Sequence, residues 1–360
     1  MIYRDYGTTG KKVSLLGFGG MRFQHIDNTE ECTGMMVKAA KGGVNYFDTA
    51  PGYFATKSET VLGKGLAELR RLGLPYYVAT KTFKTTEDPI RREIDAQLKR
   101  LNVDFIDFYH VWCITDLNNW AERKNDGILD AFRKLKEEGL IKHICVSSHL
   151  IQDEINTLLT EGVFEGVLFG YSAYNFKTRE KVFNAIRSKK LGAAIMNPLG
   201  GGIIPGNPEL FGFIIRPGES AVEAGFRFLW DHRDISVTLA GFRHEQDITD
   251  ALSAMEGYKP RTEAELTAVK EKAGDSLEGI CTGCAYCDNC PENIPIPKYM
   301  DAFNQKILRQ NGDLKMKERL NMHWDILPAD AGKCTECGQC ESACTQHLPI
   351  IERLKYIARP

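Results

Sequence analysis

No stretch of this 360-residue chain approaches the roughly 20 consecutive apolar residues of a membrane-spanning helix. Its opening, MIYRDYGTTGKK, puts charges where an export signal would need an apolar run. A cytoplasmic protein that does not enter a membrane is therefore expected. Neither sign of charge dominates: 46 Lys and Arg face 48 Asp and Glu, for a net charge of −2. Without a basic stripe, nucleic acid is excluded as an expected partner. Low-complexity segments are missing too. So is a GxGxxG turn behind the first apolar run, where GFGG at 17–20 is too short and wrongly spaced. That absence disfavours the runner-up architecture, an open doubly wound sheet.

What the chain does have is a rhythm. Over its first 256 residues, short β-branched or aromatic runs alternate with amphipathic helical stretches. The expected strands are 13–20, 44–50, 75–81, 104–112, 142–149, 166–172, 192–198 and 234–241. Several of the helical stretches between them end in Gly after a basic turn, which is the expected stop signal. Eight short apolar strands alternating with helices predict an α/β fold, a closed (β/α)₈ TIM barrel over residues 1–260. A second, mainly helical domain is expected over residues 261–360, with a helical stretch at 298–325.

The cysteines are the second strong feature. Three of the eleven, Cys32, Cys113 and Cys145, are scattered; the other eight fall between 281 and 344. In a small exported domain they would read as disulfides. At the end of a long chain without an export signal they read as metal ligands. The two sets, CTGCAYCDNCP (281–291) and CTECGQCESAC (334–344), each contain a CxxCxxC triplet. Both are followed by Ile-Pro-Ile or Leu-Pro-Ile at the same offset, a weak internal duplication.

A CxxCxxC triplet wraps three corners of an iron–sulfur cubane, and a remote fourth thiolate completes it. Two Cys₄ zinc sites would also use eight thiolates, although zinc usually takes CxxC pairs from separate knuckles. In two-cluster ferredoxins the fourth Cys of each motif ligates the other cluster. Similarity to that spacing implies one 4Fe–4S cluster on Cys281, Cys284, Cys287 and Cys344. The second would then sit on Cys334, Cys337, Cys340 and Cys290. Two departures stand out: two residues instead of three separate Cys287 from Cys290, and Thr345 stands where Pro usually follows the last Cys.

Within the barrel, GGVNYFDTAPGY (42–53), YYVATK (76–81) and DFYHVW (107–112) resemble the aldo-keto reductase family. A subset of that family carries a C-terminal ferredoxin-like 4Fe–4S extension. The resemblance covers most of residues 1–256. It implies carbonyl reduction by hydride transfer from a nicotinamide cofactor. Asp48, Tyr53 and Lys81 match three of the family's four catalytic residues. Their roles make chemical sense. A phenol with pKa about 10 is a weak proton donor at neutral pH, and a nearby ammonium held by a carboxylate lowers that value. The fourth residue, a His, falls at Trp112 when Asp107 and Tyr109 are aligned. His110 lies on the same strand face, roughly 6–7 Å deeper, out of reach of the substrate unless the strand carries a bulge. Both residues are expected in the substrate pocket, His110 buried beneath Trp112.

The cofactor contacts implied by the resemblance are Gly20 and Met21, Ser147 and Ser148, Asn175, Met196, Leu199 and Gly200, and Gly241 and Arg243. Ser148 replaces an Asn, Tyr171 a Gln and Met196 a stacking Tyr. PLGGG at 198–202 is the expected pyrophosphate loop. Asp247 stands near the usual Arg for a 2′-phosphate and would repel it, while Arg243 could compensate. NADP(H) and NAD(H) both stay open, and a flavin is a further option. The expected protein is thus an iron–sulfur oxidoreductase acting on a small-molecule aldehyde, ketone or other activated substrate. It would draw on a nicotinamide, on cluster electrons or on both, with a soluble carrier such as ferredoxin as a partner. The alternative is a redox-responsive binding or electron-transfer module with a barrel of low turnover.

Overall fold

The computed structural model describes residues 1–150, 153–273 and 279–359. The chain forms two compact units, Met1–Leu199 with Phe211–Gly274, and Gly200–Leu210 with Asp275–Pro360.

The first unit begins with an antiparallel hairpin of β1 (Tyr3–Asp5) and β2 (Lys12–Ser14). Eight parallel strands follow: β3 (Leu16–Gly19), β4 (Tyr46–Asp48), β5 (Tyr77–Thr82) and β6 (Ile106–Ile114), then β7 (Ile141–Ser148), β8 (Gly166–Gly170), β9 (Gly192–Met196) and β10 (Val237–Gly241). They close into a barrel in which β10 pairs with β3. Each overlaps an expected strand, and β6 runs two residues further than expected, to Ile114. The outer helices bury one face apiece. Ile128–Glu137, for example, buries Ile128, Ala131, Phe132 and Leu135, spaced as an inward helical stripe requires.

The hairpin was not legible in the sequence, because three-residue strands carry no periodicity. It inserts Tyr6 into the N-terminal end of the barrel, where its ring centroid lies 4.4 Å from that of Phe108. Glycine is required opposite: a Cβ on Gly166 or Gly192 would come within 2.4 or 2.1 Å of the Tyr6 ring. The barrel floor is therefore packed shut, and only its other end can hold a site.

The boundary between the units differs from the expected 260/261. The helix Glu263–Glu271 belongs with the barrel, where Arg261 forms a buried ion pair with Asp231 at 2.6 Å and Lys270 pairs with Glu180. Conversely, Gly200–Leu210 leaves the barrel unit for the cysteine unit. A Cβ on Gly201, whose φ is 67°, would meet the Thr282 carbonyl at 2.4 Å, and Arg309 bonds to Glu209 at 3.1 Å.

The cysteine unit is helical, with Ile296–Leu308, Gly312–Glu318 and Ile350–Ile357 as its main elements. Its core joins Ile294, Ile296 and Met300 to Leu348, Ile350 and Leu354. The weak sequence duplication is a structural one. Gly283 and Glu336 share left-handed backbone (φ 64° and 58°), as do Asn293 and His347 (54° and 51°). Each triplet loop is closed by an N–H to its first sulfur at 3.4 Å, from Gly283 to Cys281 and from Glu336 to Cys334. Pro295 and Pro349 start equivalent helices at φ −75°, ψ 73° and φ −75°, ψ 72°.

Candidate active site and cysteine quartets

Alternation along the strands decides which side chains enter the barrel. Tyr46, Ala79, Phe108 and Cys145 belong to the packed interior. Two residues further along each strand stand Asp48, Lys81, His110 and Ser147, one layer nearer the open end. The Lys81 ammonium, 1% exposed, donates to both Asp48 carboxylate oxygens at 2.6 Å and to the Thr49 carbonyl at 2.8 Å. Burial raises the Asp48 carboxyl and lowers the Lys81 ammonium from their ordinary values, and each opposes the other's shift by attraction. Three bonds hold the ammonium so that it cannot wander. It lies 5.6 Å from the centroid of the Tyr53 ring.

Tyr53 sits in the loop after β4, followed by Phe54, Ala55 and Thr56, all left-handed (φ 51°, 49° and 74°). Three such residues in a row cost about 1–2 kcal/mol each, so this loop stores strain beside the phenol. Behind Lys81, buried Glu59 accepts from Thr80 at 2.7 Å and from Arg100 at 2.8 Å. Gln97 bridges the Glu59 carboxylate at 3.1 Å and the Lys81 carbonyl at 2.9 Å. This network braces β5 from outside the barrel.

The strand carrying His110 and Trp112 does bulge, but beyond His110. Its register against β7 is regular through Val111–Val146 and then shifts by one residue before Ile114–Ser148, with Cys113 left-handed at φ 60°. His110 therefore stays deep, as alternation predicts. It is fully buried, its Nδ1 lies 3.3 Å from the Thr80 carbonyl, and its Nε2 has no hydrogen-bond partner. Burial, aided by the nearby Lys81 charge, pushes its pKa down to about 3. It stays neutral at physiological pH.

Trp112 packs edge-on to Tyr53, and Gly52 is bare where a Cβ would come within 2.7 Å of the indole. Two residues not anticipated from the sequence complete this wall. Phe83, 43% exposed, stacks on the indole at 3.9 Å and leaves Trp112 itself only 2% exposed. Arg123 donates to the Trp112 carbonyl at 2.6 Å, and its guanidinium lies 5.8 Å from the Phe83 centroid. The charged run AERKND around Arg123 gave no sign of an inward-facing side chain.

The implied cofactor residues divide into several groups. Ser147 faces inward, whereas the Ser148 hydroxyl accepts from the Leu150 amide at 3.2 Å. The Asn175 side chain accepts from the Ser172 amide at 2.8 Å. Met196 packs on the barrel core, while Tyr171 is buried against Phe183, with its hydroxyl 3.2 Å from His232. Met21 and Leu199 are half-buried. Gly20 has no room for a Cβ beside Ser58, nor Gly241 beside Arg22. Gly200 belongs to the cysteine unit, where the neighbouring Gly201 serves a close backbone approach. After β10, the amides of Arg243 and His244 donate to the Asp247 carboxylate at 2.7 and 3.1 Å.

In the cysteine unit, Cys290, Cys334, Cys337 and Cys340 line one cavity with Pro291, Ile296, Thr335, Gly338 and Ile351. The other four thiols are neighbours in turn. Burial pushes Cys281 and Cys287 up to about 12, and Cys284 and Cys344 are among the charges that add to each shift. Each quartet thus takes three members from one motif and one from the other. CxxCxxC triplets each completed by one distant thiol fit a polynuclear cubane better than a tetrahedral zinc.

A family model described as "Aldo/keto reductase family" matches residues 15–210. The chain belongs to the aldo/keto reductase family. A second model, "4Fe-4S dicluster domain", matches residues 280–348, so this member carries the iron–sulfur extension. The L-galactose dehydrogenase of Arabidopsis thaliana is 27% identical over 77% of this chain and 93% of its own length. The NADH-specific methylglyoxal reductase of Escherichia coli is 24% identical over 56% of this chain and 68% of its own. Among solved structures, the holo form of an aldo-keto reductase from Bacillus halodurans matches with a TM-score of 0.66. At 23% identity, over 76% of this chain and 97% of that one, it is similar in fold. This family member is an oxidoreductase. No helix among its described residues is long and apolar enough to cross a membrane.

Proposed function

We propose that this aldo-keto reductase interconverts a carbonyl compound and its alcohol with NAD(H), and that its cysteine unit carries two 4Fe–4S clusters exchanging electrons with a soluble carrier such as ferredoxin. The observation that carries the catalytic reading is the Lys81 ammonium, fixed by Asp48 and Thr49 and set 5.6 Å from the Tyr53 ring. The nicotinamide, when bound, supplies or accepts the hydride. Tyr53 gives its phenolic proton to the nascent alkoxide, or takes it back in the reverse direction. Lys81 stabilises the phenolate, Asp48 holds Lys81, and Ser147 is the inward-facing polar group at the same level. His110 is neutral and too deep to exchange the proton.

Preference for NAD(H) is supported after β10. A 2′-phosphate would meet amides already engaged by Asp247, beside a second carboxylate, Glu245. Two acidic side chains suit a ribose diol better than a phosphate. The two quartets support the cluster count.

Anaerobic assays with NADH and NADPH test this reading on a panel of aldehydes and ketones. Tyr53→Phe should lower turnover about 10²–10⁴-fold with nucleotide affinity kept, since it removes a proton transfer. Near wild-type turnover in that variant, or a preference for NADPH, would contradict the corresponding half of the proposal. One observation favours the second reading, a binding or electron-transfer module of low turnover: Trp112, edge-on to Tyr53 and stacked under Phe83, stands where the resemblance puts the catalytic His.

A further inference from the structure

The two halves of the cysteine unit differ at one position where charge matters. Their shared tails align Cys290 with Cys344, Pro295 with Pro349, and Tyr299 with Arg353. Both aligned side chains are buried on equivalent helices, and each helix amide bonds back to its proline carbonyl, at 3.3 and 3.1 Å. Tyr299 is neutral and committed, donating its hydroxyl proton to the Leu327 carbonyl at 2.8 Å.

Arg353 is a buried cation, 7% exposed, and its Nη1 has no hydrogen-bond partner. The guanidinium lies 4.7 Å from the Phe303 ring centroid. Gly279, with φ 85°, leaves the space that Nη2 uses, since a Cβ there would come within 2.9 Å of it. The thiols of Cys281 and Cys344, both in the first quartet, are the ionisable groups whose charge acts on it. Burying a guanidinium with an unmade hydrogen bond is costly unless an anion compensates. Carboxylates bear on both quartets, Asp301 on Cys281 and Glu341 on Cys340, so Arg353 is what distinguishes the first.

We propose that Arg353 raises the reduction potential of the cluster held by Cys281, Cys284, Cys287 and Cys344, and so makes the two clusters unequal electron acceptors. Each one-electron reduction adds a negative charge. A fixed cation with a free N–H donor stabilises that added charge, and a neutral phenol already bonded elsewhere does not. The duplication supplies an internal comparison, since the two helices start alike at Pro295 and Pro349 and differ at this position. The inference rests on the two-cluster reading given above.

The test uses the full chain, reconstituted without oxygen. Iron and sulfide analysis comes first: a content well short of about eight of each per chain sinks the two-cluster reading rather than this one. Potentiometric titration followed by electron paramagnetic resonance then reads the two reduction steps separately. Arg353→Gln should reduce the ratio of reduced to oxidised form at one step by at least about tenfold at fixed poise, equivalent to about 59 mV for a one-electron couple. The other step should stay in place. Arg353→Lys should stay close to wild type, and Tyr299→Phe should move neither step. Unchanged potentials in Arg353→Gln overturn the proposal, as does an equal shift of both. If Arg353→Gln holds no iron, Arg353→His replaces it, and the affected potential must then fall as pH rises through the imidazole titration while wild type stays flat. A flat response overturns the proposal. Loss of iron from all three Arg353 variants also overturns it, because the residue would then be structural.

Discussion

Trp112 stands edge-on to Tyr53, with ring centroids 5.8 Å apart and planes at 87°. The bulge at Cys113 sets this relationship by re-aiming the end of β6 without moving His110. The indole is not an open platform for a flat substrate, because Phe83 already stacks on it. Removing Phe83 should therefore change access more than stability. Phe83→Ala is expected to lower KM for bulky carbonyl substrates and to cost no more than about 1 kcal/mol of stability, since the side chain is largely exposed. Trp112→His should raise turnover of small aldehydes by putting an imidazole above Tyr53. Steady-state kinetics of both variants check this, and a raised KM in Phe83→Ala would make Phe83 a substrate contact instead.

The Asp48–Lys81 pair makes a stability prediction. Lys81→Met leaves a buried carboxylate unpaired and should destabilise the barrel by about 3–5 kcal/mol, whereas Asp48→Asn combined with Lys81→Met should recover part of that loss. Urea unfolding of the single and double variants measures the difference. Equal losses in the two would show that Asp48 does not need its partner.

His110 predicts a pH dependence. Its folded pKa, about 3, lies below the ordinary value of 6.5. Between those values the unfolded chain binds a proton that the folded one refuses, so the His110 contribution to stability is intact above 6.5 and is lost as pH falls toward 3. The slope is at most about 1.4 kcal/mol per pH unit for one group. His110→Asn should flatten the pH dependence of the barrel's urea midpoint in this window. An unchanged slope would place the loss elsewhere. The turnover profile should show no titration by His110 between pH 5 and 8.

Exchange of cysteines between the motifs is testable without knowing the substrate. Cys287→Ala and Cys344→Ala should remove the same spectroscopic signal, although the residues lie in different motifs. Cys290→Ala should remove the other, together with Cys337→Ala. If Cys290→Ala instead behaved like Cys287→Ala, each motif would keep its own cluster.

Much of this was legible in the sequence. Eight strands correspond to eight apolar runs, and FDTAPGY with VATK marks Asp48, Tyr53 and Lys81 through the family resemblance. The hairpin that delivers Tyr6 left no trace, because three residues are too few for a period of two to register. The bulge at Cys113 was hidden for a related reason: it needs one non-glycine residue at positive φ, and nothing in HVWCI marks one. PLGGG has the composition of a phosphate loop, but glycine also permits close backbone packing, the task Gly201 performs against Thr282. Arg353 could have been found from the duplication, by asking what faces Tyr299 in the aligned tail.

That duplication has a mechanical consequence. Because each half lends its last cysteine to the other, neither half closes on itself, and the arrangement is a reciprocal clasp tied within one chain. Opening either quartet means parting both halves, so the unit should come undone in one step rather than lobe by lobe. Oxidative damage at Cys337, the exposed thiol of the eight, would then reach the other quartet through Cys290 and Cys344.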